Sequence, residues 1–528
     1  MKALLLWPIM PNSFWSYQET LDLAGLKSTN PPLGLITIAA MLPTDWEIRF
    51  FDRNVTPETD ADWDWCDLAI ISAMIVQKAD FQSLIKKGVN LGKQVAVGGP
   101  FATSIPTFAL AAGAHHLILD EGECTMPLFL DALARGETTG IYRSTEKPDV
   151  TNTPIPRFDL LDLDAYLAIT VQFSRGCPFQ CEFCDIINLY GRKPRTKTPA
   201  QFLAELEVLY QMGWHRYVFI VDDNFIGNTH NAKLLLRALI PWMEERNYPF
   251  IFLTEASINL AEDDELIELM VKAGMTIVFM GIETPDTDSL LGIHKVQNTR
   301  KSLVESCEKV TRMGLQIMSG FIMGFDNERA GAGQRIQEFI ETANIPIGQF
   351  SLLQALQNTA LWTRLEREGR LTEGLATIHQ GAIMNFIPTR PVVEITQEYI
   401  DAFWQMYEPM PYLKRTFRCF RMMNGWRSKH NRPITQHELR LYWAICWRQG
   451  VLRNTRFLFW WQLLVLAVSK PRLLYDYFTV LGVGEHFFSY RYEVRDQLLG
   501  QIAALTADPD QRSSVMPIVS KDPAVTPV

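Results

Sequence analysis

Short apolar runs alternate with longer amphipathic stretches over the first three quarters of the chain. Runs at 2–7, 47–51, 68–72, 94–97 and 116–119 are rich in apolar, β-branched or aromatic residues, as buried strands are. Helical periodicity fills the intervals, so an open parallel sheet wrapped by helices is expected up to about residue 125. Five such strands fit an N-terminal flavodoxin-like (Rossmann) domain. The alternation resumes with strands expected at 168–173, 216–221, 250–253, 276–280, 316–323 and 349–353. Amphipathic helices are expected at 200–211, 231–245, 262–273, 299–313 and 334–342. Six strand and helix units rather than eight predict a partial (β/α)6 barrel of the TIM type. The fold class is therefore α/β, followed by a mainly α-helical C-terminal region.

Breaker residues divide these blocks. After a helix at 126–133 come Gly136, Lys147-Pro148 and Thr153-Pro154-Ile155-Pro156, a connector composition. Pro388-Thr389-Arg390-Pro391 ends the barrel pattern, and aromatic-rich helices are expected at 397–406 and 436–447. The expected domains are 1–140, a linker 141–165, the barrel 166–390, a helical aromatic-rich domain 391–505, and a disordered polar tail 506–528. Between Tyr412 and Glu438 stand Lys414, Arg415, Arg418, Arg421, Arg427, Lys429 and Arg432 with no acid among them. That is either a polarised patch or a solvated basic face. The apolar run 457–468, between Arg456 and Lys470, is too short to span a bilayer. It is either a buried helix or an interfacial one, the latter giving peripheral membrane contact.

Composition narrows the class. At 528 residues, 47% hydrophobic and 21% charged, the chain is a globular multidomain protein rather than a disordered one. A net charge of -9 argues against nucleic acid as a partner. Cys66, Cys124, Cys307, Cys419 and Cys446 are scattered singly, which is no disulfide scaffold. The N-terminal apolar run reads as a strand rather than a signal peptide, so a cytoplasmic location is expected, at most peripheral on the inner face of the membrane.

The chemistry concentrates in Ser174-Arg175-Gly176-Cys177-Pro178-Phe179-Gln180-Cys181-Glu182-Phe183-Cys184. A structural zinc site closes with four ligands, whereas this Cys-x3-Cys-x2-Cys triplet has no fourth cysteine nearby. Three thiolates suit a [4Fe-4S] cluster with one open iron. The loop falls just after the first barrel strand, where barrel chemistry sits. The same strand-end rule nominates Asp222, Asp223, Glu255 and Glu283, whose carboxylates accept from ammonium or ribose hydroxyls; the alternative is that they cap helices. In the first domain it nominates Asp52, Ser72, Gly98, Gly99, Glu121, Gly122 and Glu123.

The cysteine spacing, with Phe183 before the last cysteine, resembles that of the radical S-adenosylmethionine (SAM) superfamily. Gly320-Phe321-Ile322-Met323-Gly324 resembles the stretch on which that superfamily lays adenine, with Gly320, Ile322 and Gly324 the matching positions. Asn327 stands where a glutamate is usual. Pro31-Pro32-Leu33-Gly34, Gly98-Gly99-Pro100 and Glu121-Gly122-Glu123 together resemble the cobalamin-binding domain that precedes many such barrels. The Asp-x-His-x-x-Gly motif that supplies a lower axial histidine to cobalt does not occur, and His115 and His116 read as strand-entry residues. The whole is similar to cobalamin-dependent radical SAM methylases, and the opening Pro11-Asn12-Ser13-Phe14-Trp15-Ser16 and aromatic C-terminal part look like the branch containing hopanoid C-2 methylases. The resemblance implies that a cluster on Cys177, Cys181 and Cys184 splits SAM to a 5'-deoxyadenosyl radical, and that methylcobalamin delivers a methyl group to an unactivated carbon. It implies an external electron donor such as flavodoxin or ferredoxin and a small apolar substrate. Rival readings are a cobalamin-dependent oxidative cyclase acting on a tetrapyrrole and a non-catalytic cobalamin or cluster sensor.

Overall fold

The computed structural model describes residues 1–372, 381–424 and 434–507. The first sheet has six parallel strands: β1 (Lys2–Trp7), β2 (Glu47–Asp52), β3 (Leu68–Ser72), β4 (Gln94–Gly98), β5 (His116–Ile118) and β6 (Gly140–Tyr142). Their order is β2-β1-β3-β4-β5-β6. Ala3, Leu4, Leu5 and Leu6 of β1 are fully buried, because a parallel sheet covered by helices on both faces has no solvent side. Two of those helices reach the site below, α2 (Leu33–Ala39) and α3 (Gly122–Ala134); the short α1 (Gln18–Ala24) packs elsewhere. The sixth strand was not expected. Part of β6 falls in the stretch read as linker, yet it pairs with β5 through His116↔Gly140, Leu117↔Ile141 and Ile118↔Tyr142.

The second sheet runs β7 (Ala168–Val171), β10 (Tyr217–Ile220), β11 (Ile251–Glu255), β12 (Met275–Glu283), β13 (Gln316–Met323) and β14 (Ile347–Leu352), with a two-residue hairpin, β8 (Ser174–Arg175) and β9 (Arg195–Thr196), inserted after β7. Each long strand pairs in parallel with its neighbour in sequence, which leaves β7 and β14 as the two edges of an open barrel. The expected six units are all present.

The C-terminal region consists of α4 (Val392–Met406), α5 (Pro409–Met422), α6 (Gln436–Trp447), a π-helical turn at Arg448–Leu452, α7 (Arg456–Ser469) and α8 (Leu474–Ala507). Helix α8 closes one end of the barrel: Tyr475 stacks on Tyr217 of β10 at 6.1 Å between ring centres. It also binds the start of the chain, since His486 Nε2 donates to Ser13 O (3.0 Å) and Phe487 stacks on Phe14 at 4.6 Å. Phe14, Leu21, Ala24 and Leu26 therefore belong to the barrel core rather than to that of the first sheet.

The basic run is not simply a solvated face. Arg415 is fully buried and pairs with Glu341, which also takes Arg418. Arg427, Lys429 and Arg432 lie outside the described residues, as does the tail expected from residue 506 except for Thr506 and Ala507, which end α8.

Candidate active site where the two sheets meet

Cys177, Cys181 and Cys184 lie on the loop that follows β8, all partly exposed and none in a disulfide. The loop is tied down at both ends. At its start Gly176 has φ +94°, and a Cβ there would sit 2.8 Å from Gly191 O, so only glycine fits. Gly176 N donates to Asp223 Oδ2 (2.8 Å), while Asp222 accepts from Phe173 N and Ser174 Oγ, both at 2.7 Å. The two acids at the end of β10 thus hold the loop entry. Further on, Glu182 accepts from Arg364 Nη2 (2.9 Å), and its own carbonyl accepts from Leu361 N (2.9 Å).

Burial pushes all three thiols up, and Cys184 is raised further by Asp185 and by its neighbours Cys181 and Cys177. The thiols are thus close enough to repel as anions, and a metal centre is what reverses that penalty. Lys295 brings a compensating charge near Cys181, and it is itself paired with Glu283 in a buried ion pair. Among the described residues no three His, Cys, Asp or Glu side chains converge on one ion. A cubane has no such requirement, because it takes one thiolate at each of three different irons. The donor set therefore fits the cluster.

The carboxyl ends of the two sheets face one cavity of about 400 Å³. From the first sheet Ser72, Gly98, Gly99, Glu121, Gly122 and Glu123 line it; from the barrel side come Gln172, Arg175, Tyr190, Val221 and Asp223. Asp52, expected on this edge, is not on the cavity wall: it is buried and accepts from Tyr166 Oη (3.0 Å) and Asn54 Nδ2 (2.7 Å). A Cβ on Gly98 would meet the backbone oxygen of Ile118 at 2.9 Å, and Gly99 has φ +85° with Ser72 Oγ where its Cβ would stand, so the backbone demands these two; a Cβ on Gly122 would displace only the tip of the Ile38 side chain. Of the glycines on the cavity wall, Gly34 is the one whose Cβ would meet nothing within 4 Å.

An ion-pair clamp joins the halves across this cavity. Arg175, two residues before Cys177, donates to Glu121 Oε2 (2.9 Å) and to both oxygens of Glu123 (2.9 and 2.8 Å) at the start of α3. Arg195 of β9 donates to Glu121 Oε1 (2.8 Å). Burial by itself raises the Glu123 carboxyl, but the Arg175 guanidinium and the Thr153 hydroxyl outweigh it and hold the group at about 2. The sequence placed Glu121 and Glu123 on the binding edge; in the structure their carboxylates serve the clamp first.

On the barrel side, Phe183 lies beside Phe325, 6.3 Å between ring centres. Gly320 makes room for the Phe279 ring (3.0 Å from a built Cβ), Gly324 has φ +102° against Met384, and Ile322 is half-buried on β13. One position beyond Asn327, the buried Glu328 accepts from Gly324 N (3.0 Å). Burial, then repulsion by Asp223 and Asp222, pushes Glu255 up to about 8. Sequence reasoning missed Arg195, Lys295 and Glu328. For Arg195 and Lys295 the partners lie on other elements, and only an excess of acids over bases at the strand ends hinted at them.

A parallel partial barrel with Cys-x3-Cys-x2-Cys on the loop after its first strand defines a radical SAM enzyme. The radical SAM superfamily model matches residues 171–340, and a domain of unknown function (DUF4070) matches 359–499. An uncharacterised methyltransferase of Synechocystis sp. is 54% identical over 95% of this chain and 94% of its own. The hopanoid C-2 methylase of Rhodopseudomonas palustris is 34% identical over 78% of each chain. In fold, the chain is similar to the radical SAM methyltransferase TsrM of Kitasatospora setae (TM-score 0.60, 15% identity, 78% of this chain and 89% of that one). It is likewise similar to OxsB, a cobalamin-dependent SAM radical enzyme (TM-score 0.60, 15% identity, 96% and 80%). The chain belongs to the methyltransferase family of its Synechocystis and Rhodopseudomonas relatives and carries a radical SAM domain.

Neither His115 nor His116 reaches the cavity wall. His115 Nδ1 accepts from Val95 N (3.2 Å), and the buried His116 contacts Tyr142 Oη (3.1 Å). Replacing His115 with alanine, or His116 with the similarly sized phenylalanine, will therefore leave the absorption spectrum of bound cobalamin unchanged. A shift in either variant would identify a cobalt ligand that the geometry does not provide.

Proposed function

We propose that the protein methylates an unactivated carbon of a bulky apolar molecule, with a hopanoid lipid as the substrate class. The observation that carries the chemistry is the shared cavity: the edge of the flavodoxin-like sheet and the residues that flank the cysteine loop, Arg175 before it and Leu189 and Tyr190 after it, line one space, which would bring a cofactor on each side to one substrate. When bound, the cluster with SAM supplies a carbon-centred radical and cobalamin supplies the methyl group. The chain's own residues position, neutralise and exclude water. Cys177, Cys181 and Cys184 hold the cluster, and Lys295 offsets the charge of the thiolates. Asp223 orients the loop through Gly176, and Glu283 acts through Lys295 rather than as a free acceptor. Phe183, Gly320, Ile322 and Gly324 bound the SAM site. Ser72, Gly98, Gly99 and Gly122 form the cobalamin floor, while Glu121 and Glu123 fix the Arg175 side chain beside it. An external flavodoxin or ferredoxin supplies electrons.

The substrate class rests on the hopanoid C-2 methylase relative and on the largely apolar lining of the cavity. Comparative lipid mass spectrometry of a deletion strain tests it. Loss of one methylated polycyclic lipid, with the unmethylated parent accumulating, is expected. Unchanged lipids with an altered tetrapyrrole would transfer the protein to the cyclase reading.

A further inference from the structure

Helix α7 is apolar on two sides. Phe459, Gln462 and Leu466 are buried against the rest of the protein. On the opposite side Phe457, Trp461, Leu464 and Val468, at helical spacing, face outward, and Phe457 and Val468 are 77% and 79% exposed. Helix α6 and the π-helical turn continue this surface with Trp443 (77% exposed), Trp447, Val451 and Leu452. The pieces form one face because the indole of Trp460 donates to Gly450 O (2.9 Å), docking α7 onto the turn. The outward side of a helix in water is normally polar, and a contiguous apolar face of this kind marks an interaction site.

The charge around the face identifies the partner. Residues 411–472 hold thirteen Lys or Arg and a single acid, Glu438, in a chain of net charge -9. Lys414, Arg421, Arg440, Arg456 and Arg472 are exposed, and none has a carboxylate partner in an ion pair among the described residues. Two copies of so cationic a face repel one another, which disfavours self-association. Exposed aromatic and aliphatic side chains with exposed arginines on the same helices, Arg456 lying over the Phe457 ring (5.2 Å), match instead the interface of an anionic bilayer, where rings and branched chains enter the acyl boundary and guanidinium groups meet headgroup phosphates. No helix among the described residues is long and apolar enough to cross a membrane.

We infer that the face built by α6, the π-helical turn and α7 seats the protein on an anionic lipid surface. This deepens the proposed lipid substrate, since α6 and the π-helical turn are tied to α1, which packs on the barrel core: His437 Nδ1 of α6 donates to Ala24 O (3.0 Å), and Arg448 of the turn pairs with Glu19. Just before α1, Trp15 lays its ring against Phe279 of β12, 5.3 Å between centres. The docked face and the closure of the barrel are thus one packed unit.

The test uses the full-length holoenzyme and vesicles, so it does not depend on turnover. Co-sedimentation with phosphatidylglycerol-containing vesicles at low salt is expected, with release at high salt and at least tenfold weaker binding to pure phosphatidylcholine. The triple change Trp443→Ser, Phe457→Ser and Val468→Ser should weaken binding by on the order of a hundredfold while melting temperature stays unchanged, because all three side chains are exposed. Replacing Arg456 and Arg472 with glutamine should weaken binding to anionic vesicles by about fivefold each and leave neutral vesicles unaffected. Equal binding to both vesicle types would overturn the electrostatic assignment. Failure to bind either, or a dimer in the ultracentrifuge that the triple change dissociates, would overturn the membrane face altogether. Either result would leave the methyltransferase reading intact, since the deletion strain tests that separately.

Discussion

Changing Cys181 to alanine will leave the anaerobically purified protein without its cluster. Three thiolates are what the loop after β8 offers, one for each of three irons, and the middle one is flanked by the other two within seven residues. Two remaining thiolates, each raised by burial, do not hold a cubane in a partly exposed loop. Iron and sulfide content should fall to a small fraction of the parent, and reductive cleavage of SAM should become undetectable. Cys66→Ala, buried in the first sheet's core far from the loop, is the control and should keep full iron content. Full iron and sulfide in the Cys181 variant would refute the assignment of the loop.

Arg175→Ala should cost about 3–5 kcal/mol, because it leaves the largely buried Glu123 without its countercharge and removes one of the cations on Glu121, which keeps Arg195. That is a large part of a typical folding free energy of about 5–15 kcal/mol. Arg175→Lys should recover only part of the loss, since an ammonium cannot reproduce the forked contacts to both acids. The clamp also sets an acid limit. Glu123 is held at about 2 against an ordinary 4.5, a depressed value, so its contribution is complete above about 4.5 and disappears as pH falls toward 2. Urea unfolding of parent and Arg175→Ala across that window should give curves that converge at the acid end. A constant gap between them down to pH 2 would mean that the carboxylates, not the arginine, are satisfied elsewhere.

Strands of both sheets were legible because buried parallel strands are short unbroken apolar runs set off by breakers. β6 escaped because three residues, Gly140 to Tyr142, carry no pattern of their own and gain strand character only from β5. Helix α5 was hidden by Pro409 and Pro411, which sit harmlessly in its first turn. Helix α8 was hidden because its buried residues, from Tyr477 to Leu498, include long stretches covered on every side, so no single stripe stands out. The site was legible to the level of position, not orientation. The strand-end rule put Glu121 and Glu123 on the cavity wall and Asp52 and Glu283 at strand ends off it, and all four side chains turn to Tyr166, Arg175 and Lys295. Those partners come from distant parts of the chain, and local pattern carries no information about them.

The joining of the two chain ends across the barrel has a consequence for how the protein is made. Thr20 Oγ1 donates to Gly482 O across 462 residues of sequence, His486 to Ser13 O across 473, and Asn12 to Glu493 across 481. Contacts this non-local form late and slowly, after the loop-closure entropy of nearly the whole chain has been met. On the ribosome, the first sheet can complete itself from residues 2–142 while Ser13, Phe14 and Thr20 wait without their partners on α8. The barrel thus becomes watertight late, and its apolar interior stays open until α8 has been made. Aggregation during expression, and dependence on chaperones that shield exposed apolar surface, will track that interval rather than the final stability of the fold.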